Sequence, residues 1–463
     1  MTAPAGLWRL AADTGGTFTD VLAEDPAGHP HRAKVLSSSA LRGRIEQVFV
    51  ERRCRLDRRY PGPTPGPALL AGCGVVSLDG RSLGVVHAFD AAAGQLELMA
   101  EAELRVGQTI EIRSPEPAPV LAARLLTGTP QGAALPPMEL RLATTRGTNA
   151  LLERRGAATA FLVTRGFRDL LTIGTQERPE LFARRPVRPV PLPRLVLEVV
   201  ERLAADGSVL EPLDETALVA ELPRLRAAGI ESVAVALLHA YRNPVHEDRV
   251  VAVLRAHGFP SVVASEALAR RIKFLPRAET AVVEAYLAPI VGAFLASVAA
   301  ALPAAPAGRL FALTSAGGLV AATDFRAKDS LLSGPAGGVL GAQRAARASG
   351  FAAFIGFDMG GTSTDVARAA GDGLEYTFEQ RVGDARLLAP ALAIETVAAG
   401  GGSIVAVSNG RLQVGPASAG ATPGPACYGA GGPLTLTDVN LLLGRFDPGR
   451  FGLPLDVAAA EQA

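Results

Sequence analysis

Short apolar runs and amphipathic stretches alternate along this chain. LWRLAA (7–12) is apolar enough for a strand that leads into a glycine turn, and DVLAED (20–25) reads as the return strand. SALRGRIEQVFVERRCR (39–55) has apolar positions at helical spacing, with Ser39 placed to cap a helix. YPGPTPGP (60–67) has the proline and glycine content of a linker. From about 68 to 126 the runs GVVSL, LGVVHAF, QLELMA and QTIEIRS are punctuated by glycine and proline. They predict a small β-rich insertion that ends near TGTPQGAALPP (127–137).

Beyond that point helix and strand patterns take turns. TTRGTNALLERRG (144–156) and DETALVAELPRLRAAG (214–229) read as helices, TAFLVTRG (159–166) and SVAVALL (232–238) as strands. NPVHEDRVVAVLRAHG (243–258) has an asparagine cap, a proline at the first helical position and a closing glycine. RLFALTSAGG (309–318) ends a strand in a turn of small residues. SGPAGGVLGAQRAARASG (333–350) opens a glycine-rich helix, and AAFIGF (352–357) is a further strand. The alternation predicts an α/β architecture with mixed sheets. In the most apolar run, LAPIVGAFLASVAAALPAAP (287–306), Pro289 and Pro303 bracket 13 residues. A bilayer span needs roughly 20, so this run reads as a buried, alanine-rich helix. The turn-rich tail stops at LDVAAAEQA, which reads as the middle of a helix without a closing turn. The chain is therefore expected to stop short of a complete domain.

At 463 residues the chain is too long for one simple core, and two or three domains are expected. A hydrophobic fraction of 48% and a charged fraction of 20% are those of a globular protein. The net charge of +1 gives no basic excess for nucleic acid and no interaction tail. The three cysteines, Cys54, Cys73 and Cys427, form no CxxC pair, and the six histidines form no HxH or HExxH. Neither a disulfide framework nor a zinc site is expected; a reducing cytoplasm fits, and no signal peptide or membrane segment is read.

Two glycine turns carry the candidate chemistry. AADTGGTFTDV (11–21) is matched by FDMGGTSTDVA (357–367). Asp13, Gly15, Gly16, Thr17, Thr19 and Asp20 align with Asp358, Gly360, Gly361, Thr362, Thr364 and Asp365, so six of eight positions agree. Both copies follow an apolar run and precede a valine. Glycines let backbone N–H groups approach an anion, and threonine hydroxyls add donors. An aspartate at the end of the first strand can hold Mg²⁺, directly or through water, against bound phosphates. Two such loops facing each other would grip a polyphosphate; the alternative is that both are ordinary hairpin turns. A Walker A loop is excluded because Lys34, Lys273 and Lys328 follow Ala33, Ile272 and Ala327, and GCGVVS (72–77) lacks the third glycine of a dinucleotide loop.

At these residues a resemblance emerges. DTGGTFTDV, TTRGTNALLERRG, VTRGFRDLLTIGTQ, LLSGPAGGVLG, GFDMGGTSTDV, TVAAGGGS and GPASAGATPGPACYG resemble the hydantoinase A / 5-oxoprolinase family in family order. GFRDLLTIGTQERPELF (166–182) is most similar to the 5-oxoprolinases, in which this half is fused to a hydantoinase B-like half. The resemblance implies an actin-like, two-lobed fold of the kind shared by sugar kinases and Hsp70 chaperones. The first lobe would begin in 1–58, be interrupted by the β-rich insertion at 59–137 and resume over 138–320; the second would occupy 321–463, cut short at its end. It implies ATP and Mg²⁺ as cofactors, a small cyclic amide as substrate, a hydantoinase B-like domain or subunit as partner, and an oligomeric assembly. The implied reaction opens 5-oxoproline to glutamate; alternatives are a hydantoinase A-type subunit, a ketone-carboxylating subunit, or a nucleotide-binding module without ring-opening activity.

Phosphorylation of an amide oxygen makes it a leaving group, and that step needs alignment and charge neutralisation more than a strong base. Asp13 and Asp358 are then the catalytic, metal-holding pair. Thr14, Thr17, Thr19, Thr362 and Thr364, with the N–H groups of Gly15, Gly16, Gly360 and Gly361, form the phosphate clamp. Asp20 and Asp365 either add metal ligands or cap the turns. Gly400, Gly401 and Gly402 in AAGGGS either approach the nucleotide or merely turn. Thr144, Thr145, Arg146 and Asn149 of TTRGTN contact substrate or cap a helix. Arg165, Arg168 and Arg178 could each meet a substrate carboxylate. The start of SGPAGG offers a helix N-terminus to an anion or serves close packing. Cys427 reads as a packed small residue rather than a nucleophile.

Overall fold

The computed structural model describes residues 6–463 except 17, 51, 58–68, 91–92, 178–181, 183, 185–188, 371–372, 421–422, 449–450 and 452–454. The expected linker (60–67), Thr17 and Arg178 therefore lie outside the described residues. The architecture is mixed α/β. The chain divides into two units, Met1–Gly334 with Thr377–Ala391 and Pro335–Tyr376 with Leu392–Ala463.

Alternating burial builds the first sheet. β1 (Trp8–Thr14) and β2 (Phe18–Glu24) point every second side chain inward and pair antiparallel. β3 (Pro30–Leu36) follows on β2. The helix expected over 39–55 is not formed. Ser39 turns the chain with φ 61°, and β4 (Ala40–Val50) and β5 (Arg53–Leu56) run antiparallel instead. Leu41, Gly43 and Ile45 are buried while Arg44 and Glu46 are exposed, a period of two that the paired neighbours reward. The four apolar runs downstream are strands as expected: β6 (Gly74–Ser77), β7 (Ser82–Asp90), β8 (Gln95–Leu98) and β9 (Thr109–Arg113), the last pairing with both β4 and β6. α1 (Ala118–Thr127) closes this region where only β structure was expected; its start and stop signals were Pro119 and Gly128, the latter at φ 66°.

β10 (Met138–Thr144) lies parallel to β1 and leads into α2 (Arg146–Leu152). A second, parallel sheet follows, from β11 (Thr159–Thr164), the short α3 (Leu170–Ile173) and β12 (Leu195–Val199). The small hairpin β13 (Arg202–Leu203) and β14 (Val209–Glu211) precedes α4 (Glu215–Ala227), β15 (Ser232–Ala236), α5 (Val245–Ala256), β16 (Ser261–Ala264) and α6 (Ser265–Leu268). The parallel order is β12-β11-β15-β16. Pro244, not the expected Asn243, is the N-cap of α5; Asn243 stands one residue ahead of it, and its Oδ1 accepts from Val245 N–H at 3.2 Å.

α7 (Phe274–Ala301) is 28 residues long and runs straight through Pro289, so the prolines do not bracket it as expected. By length and composition alone it is apolar enough to cross a membrane. Its apolar character is accounted for by packing on two sides. Val283, Leu287, Val291 and Leu295 join the cluster under the first sheet, and Ala278, Ala281, Val282 and Ala285 join the cluster under the parallel sheet. That burial outweighs the roughly 3 kcal/mol that an internal proline costs. β17 (Gly308–Leu313) and β18 (Leu319–Ala321) complete the first sheet, in the order β18-β17-β10-β1-β2-β3-β4-β5-β8-β7-β6-β9.

α8 (Ser333–Ala348) has its first two residues in the first unit and the rest in the second. β19 (Phe354–Met359) and β20 (Thr364–Ala370) form a hairpin with β21 (Gly373–Leu374) beside it. β22 (Tyr376–Val382) and β23 (Ala385–Leu392) return largely to the first unit, while β24 (Glu395–Val397) pairs with β20. The hairpin of β25 (Ser403–Ser408) and β26 (Arg411–Ser418), then α9 (Leu436–Leu442) and α10 (Val457–Gln462), complete the second unit.

Candidate functional site

The two glycine turns are the same hairpin built twice. In the first, Asp13 stands opposite Asp20 and Thr14 opposite Thr19, and Gly15 N–H donates to Phe18 C=O at 3.0 Å. In the second, Asp358 stands opposite Asp365 and Met359 opposite Thr364, and Gly360 N–H donates to Ser363 C=O at 2.9 Å. A period of two puts the paired aspartates on one face and the threonines on the other. This corrects part of the hydroxyl clamp. Thr14, Thr19 and Thr364 are buried, and their hydroxyls do not reach the open side of the turn. Thr19 Oγ1 lies 3.1 Å from Ser37 Oγ, Thr364 Oγ1 donates to Ala399 C=O at 2.5 Å, and Thr14 Oγ1 has no partner among the described residues. Thr362 is exposed at its turn, as are Asp13 and Asp358.

The outer aspartates are engaged along the sheet rather than at the turn. Both Asp20 oxygens accept from Lys34 Nζ on β3 at 3.0 Å, and Asp365 Oδ1 accepts from Thr396 Oγ1 on β24 at 2.7 Å. Neither caps its turn, and each has its carboxylate tied to a neighbouring strand.

Three segments of the first unit hold the first turn. Ser37 Oγ donates to Gly15 C=O at 2.8 Å. Thr145 donates to Thr14 C=O through its N–H at 3.0 Å and its hydroxyl at 3.3 Å. Asn149 Nδ2 lies 3.4 Å from Thr145 Oγ1, and a Cβ on Gly16 would stand 3.5 Å from the same nitrogen. Thr144 Oγ1 accepts from Arg146 N–H at 3.2 Å, the helix-start role rather than a free contact. Ser333 Oγ donates to Thr144 C=O at 3.2 Å, and a Cβ on Gly334 would stand 3.5 Å from Asp13 Oδ1. The start of SGPAGG thus lies against the first turn's carboxylate. Behind it, Glu284 on α7 accepts from Ala327 N–H and Lys328 N–H at 3.1 and 2.7 Å; burial pushes its carboxyl up. The turn so anchored carries Ser330 Oγ, which a Cβ on Gly147 would overlap at 2.2 Å. Only glycine lets α2 come this close. Ser37, Glu284 and Ser330 were missed in the sequence, where only the repeated serines of 37–39 and the small residues of TTRGTN marked them.

In the second unit Gly400, Gly401 and Gly402 lie under the second turn. Gly401 N–H donates to Gly360 C=O at 2.9 Å and Gly402 N–H to Gly361 C=O at 2.6 Å. A Cβ on Gly400 would stand 2.6 Å from the Gly361 carbonyl carbon, and one on Gly401 2.6 Å from Thr437 Oγ1. These glycines are backing for the turn. A Cβ on Gly361 itself would meet nothing within 4 Å, and one on Gly338 would stand 3.9 Å from Asp358 Oδ2.

The remaining candidates separate clearly. Arg165 forms an exposed pair with Glu211 at 2.8 Å, and Arg168 is exposed. Cys427 is fully buried; burial and the nearby Asp438 push its thiol up to about 12, which fits packing rather than nucleophilic attack. Among the described residues no group of three or more His, Cys, Asp or Glu side chains could hold a metal by itself. A single exposed carboxylate beside open glycine backbone suits Mg²⁺, which takes one or two carboxylates plus phosphate and water.

Residues 120–258 match the hydantoinase/oxoprolinase N-terminal region and residues 277–463 match hydantoinase/oxoprolinase. The chain belongs to the hydantoinase/oxoprolinase family. Within that family it is 42% identical over 337 residues to the 5-oxoprolinase of Saccharomyces cerevisiae, a match covering 67% of this chain. The chain spans 26% of that relative's length. Caprolactamase subunit alpha of Pseudomonas jessenii is 37% identical over 314 residues, covering 65% of this chain and 45% of the subunit. The crystal structure of that ATP-dependent caprolactamase aligns over 70% of this chain and 49% of its own with a TM-score of 0.58. The nucleotide-free structure of acetone carboxylase aligns over 98% of this chain and 57% of its own at 22% identity, with a TM-score of 0.66, a likeness of fold.

Proposed function

We propose that this hydantoinase/oxoprolinase chain takes part in the ATP-dependent opening of a cyclic amide, with 5-oxoproline as substrate and glutamate as product. The observation that carries the reading is the repeated hairpin: two turns with one register, one closing bond, and an exposed aspartate beside glycine backbone. It is supported by the 42% identity to a 5-oxoprolinase and by the ATP dependence named for caprolactamase and acetone carboxylase. In finer terms we read each hairpin as one phosphate loop of an actin-like, two-lobed fold. At each turn magnesium held by that turn's own aspartate, Asp13 in the first and Asp358 in the second, directly or through water, would neutralise phosphate charge.

The chain's own groups then bind and align. Backbone N–H groups at Gly16, Gly361 and Thr362 meet phosphate oxygens. The lactam oxygen would take the γ-phosphoryl group as ADP leaves; one water adds to the ring carbon and the C–N bond breaks, giving an acyl phosphate and the free amine, and a second water displaces phosphate, which carries off the lactam oxygen, to leave the carboxylate. The subunit name of caprolactamase supports a partner subunit; we read that partner as hydantoinase B-like, with the water bound in this chain or in the partner. The three free, buried cysteines support a cytoplasmic setting.

The test is a calorimetric titration of Mg-ATP, with and without 5-oxoproline. Binding that tightens with 5-oxoproline and vanishes in Asp13→Ala and in Asp358→Ala, each with an unchanged melting curve, is the expected result. Near-normal nucleotide binding by both variants would overturn the assignment. Substituting caprolactam, a hydantoin or acetone in the same titration distinguishes the sister activities, and a response to none of them leaves a nucleotide-binding module.

A further inference from the structure

We propose that a cavity beside the first glycine turn recognises a small cyclic amide through a carboxylate, with Arg146 taking the carboxylate. The inference rests on the cyclic-amide reading and narrows its substrate class. The cavity is an open, shallow cleft of about 550 Å³ within the first unit, and Ser38, Ser39, Ser114, Arg146, Phe294 and Ser297 are among the residues that line it.

Its walls are tied to the turn. Ser38 follows Ser37, whose hydroxyl holds Gly15 C=O, and Arg146 follows Thr145, which holds Thr14 C=O. Ser39 is held at φ 61° there, a left-handed conformation that a non-glycine residue adopts at some cost, and its carbonyl accepts from Ser114 N–H at 2.9 Å. The wall is therefore fixed in place before any ligand arrives.

Charge singles out Arg146. Its guanidinium carbon lies 4.2 Å from the centre of the Phe294 ring, which fixes the plane of the fork. Among the described residues no carboxylate forms an ion pair with it. The acidic group in the same wall, Glu116, is already neutralised by both nitrogens of a bidentate contact from Arg124 at 2.5 and 2.7 Å. Desolvation holds Arg146 below the usual arginine range, and a partly desolvated guanidinium pairs more strongly with an anion than a hydrated one. The result is one oriented cation among serine hydroxyls that can bond an amide, against an apolar side for ring methylenes. An uncharged lactam or a small ketone offers that cation one neutral carbonyl acceptor, without the charge and the second oxygen of a carboxylate.

The experiment compares equilibrium binding of 5-oxoproline and of 2-pyrrolidinone, the same ring without the carboxylate, to the full chain and to Arg146→Met and Arg146→Lys. 5-Oxoproline is expected to bind the unaltered chain about tenfold or more tighter than 2-pyrrolidinone. Arg146→Met should erase that preference and leave 2-pyrrolidinone binding and the melting curve as they were; Arg146→Lys should keep part of it. A preference that survives in Arg146→Met, or no 5-oxoproline binding in a folded chain, overturns the proposal. Mg-ATP binding is read on the same samples. Lost preference with intact nucleotide binding speaks for the cavity alone, whereas nucleotide binding that fails while Arg146-dependent carboxylate binding persists sinks the reaction and spares the cavity.

Discussion

Glu279 on α7 has one carboxylate oxygen, Oε2, buried and without a hydrogen-bond partner among the described residues. Burial pushes this carboxyl up to about 7; the neighbouring Arg386 opposes the rise and Glu177 adds to it. The unfolded chain loses that proton near its ordinary value of 4.5. Between those two values the folded state holds a proton that the unfolded state has released, so stability falls as pH rises from about 4.5 to about 7. Glu279→Gln removes the titration. The variant should gain on the parent across that window, by on the order of 2 kcal/mol once partial solvent contact is discounted. Denaturant unfolding at the two ends of the window measures it, and parallel pH dependence for parent and variant would show that Glu279 is not the group responsible. The same scale explains the threonines: a strand gives adjacent side chains opposite faces, so Thr19 and Thr364 brace their turns from behind while Asp13 and Asp358 stay in front.

Among the elements, the second hairpin shows how a turn is kept open at its front by being closed at its back. Gly400→Ala would drive a methyl into the Gly361 and Thr362 backbone, with 2.6 Å to the nearest atom. It should destabilise the chain by about 2–4 kcal/mol, because backbone cannot rotate away as a side chain can. Gly361→Ala meets nothing within 4 Å. It should melt within about 0.5 kcal/mol of the parent yet bind Mg-ATP more weakly, since its methyl stands where phosphate oxygens would approach. Paired melting curves and nucleotide titrations decide it; normal nucleotide binding by a folded Gly361→Ala would remove that turn from the phosphate site. Arg277 makes a comparable junction at the head of α7, where its fully buried guanidinium bonds Glu247 Oε1 at 3.1 Å and Leu237 C=O at 2.7 Å, fastening the helix to the parallel sheet.

For the molecule as a whole, α7 is the shared wall of the first unit. One stretch packs beneath the twelve-stranded sheet and another beneath the parallel one. Leu287 is fully buried in the first of these clusters. Leu287→Ala should cost about 2–5 kcal/mol and shift the loss of both sheets together in one transition, followed by hydrogen exchange in β1 and in β15. Separate shifts for the two strands would mean that the helix does not couple them. The second unit has its own small clusters, around Ala336 and Val339 and around Cys427 and Leu441.

Much of this was legible in the residues alone. An apolar run before each glycine turn, with a return strand after the first, placed both turns and their aspartates, because a turn is settled largely by neighbours in sequence; the register of the two hairpins came only from the structure. Helix stops such as Gly258, at φ 81°, and the Asn243 bond at the start of α5 were local too. So was the family, carried by short glycine motifs in order. Tertiary structure decided the rest. Residues 40–50 became a strand because β9 and β5 offered hydrogen-bonding edges that no local propensity reports. α7 ran through Pro289 because two clusters covered it. Gly147 and Gly400–Gly402 proved to be points of close backbone approach, and Arg146 acquired a ring behind it and a cavity before it, only when segments far apart in the chain were brought together. Sequence determined what neighbouring residues settle between themselves; contacts across hundreds of residues, whose partners no local pattern names, determined which faces were left for chemistry.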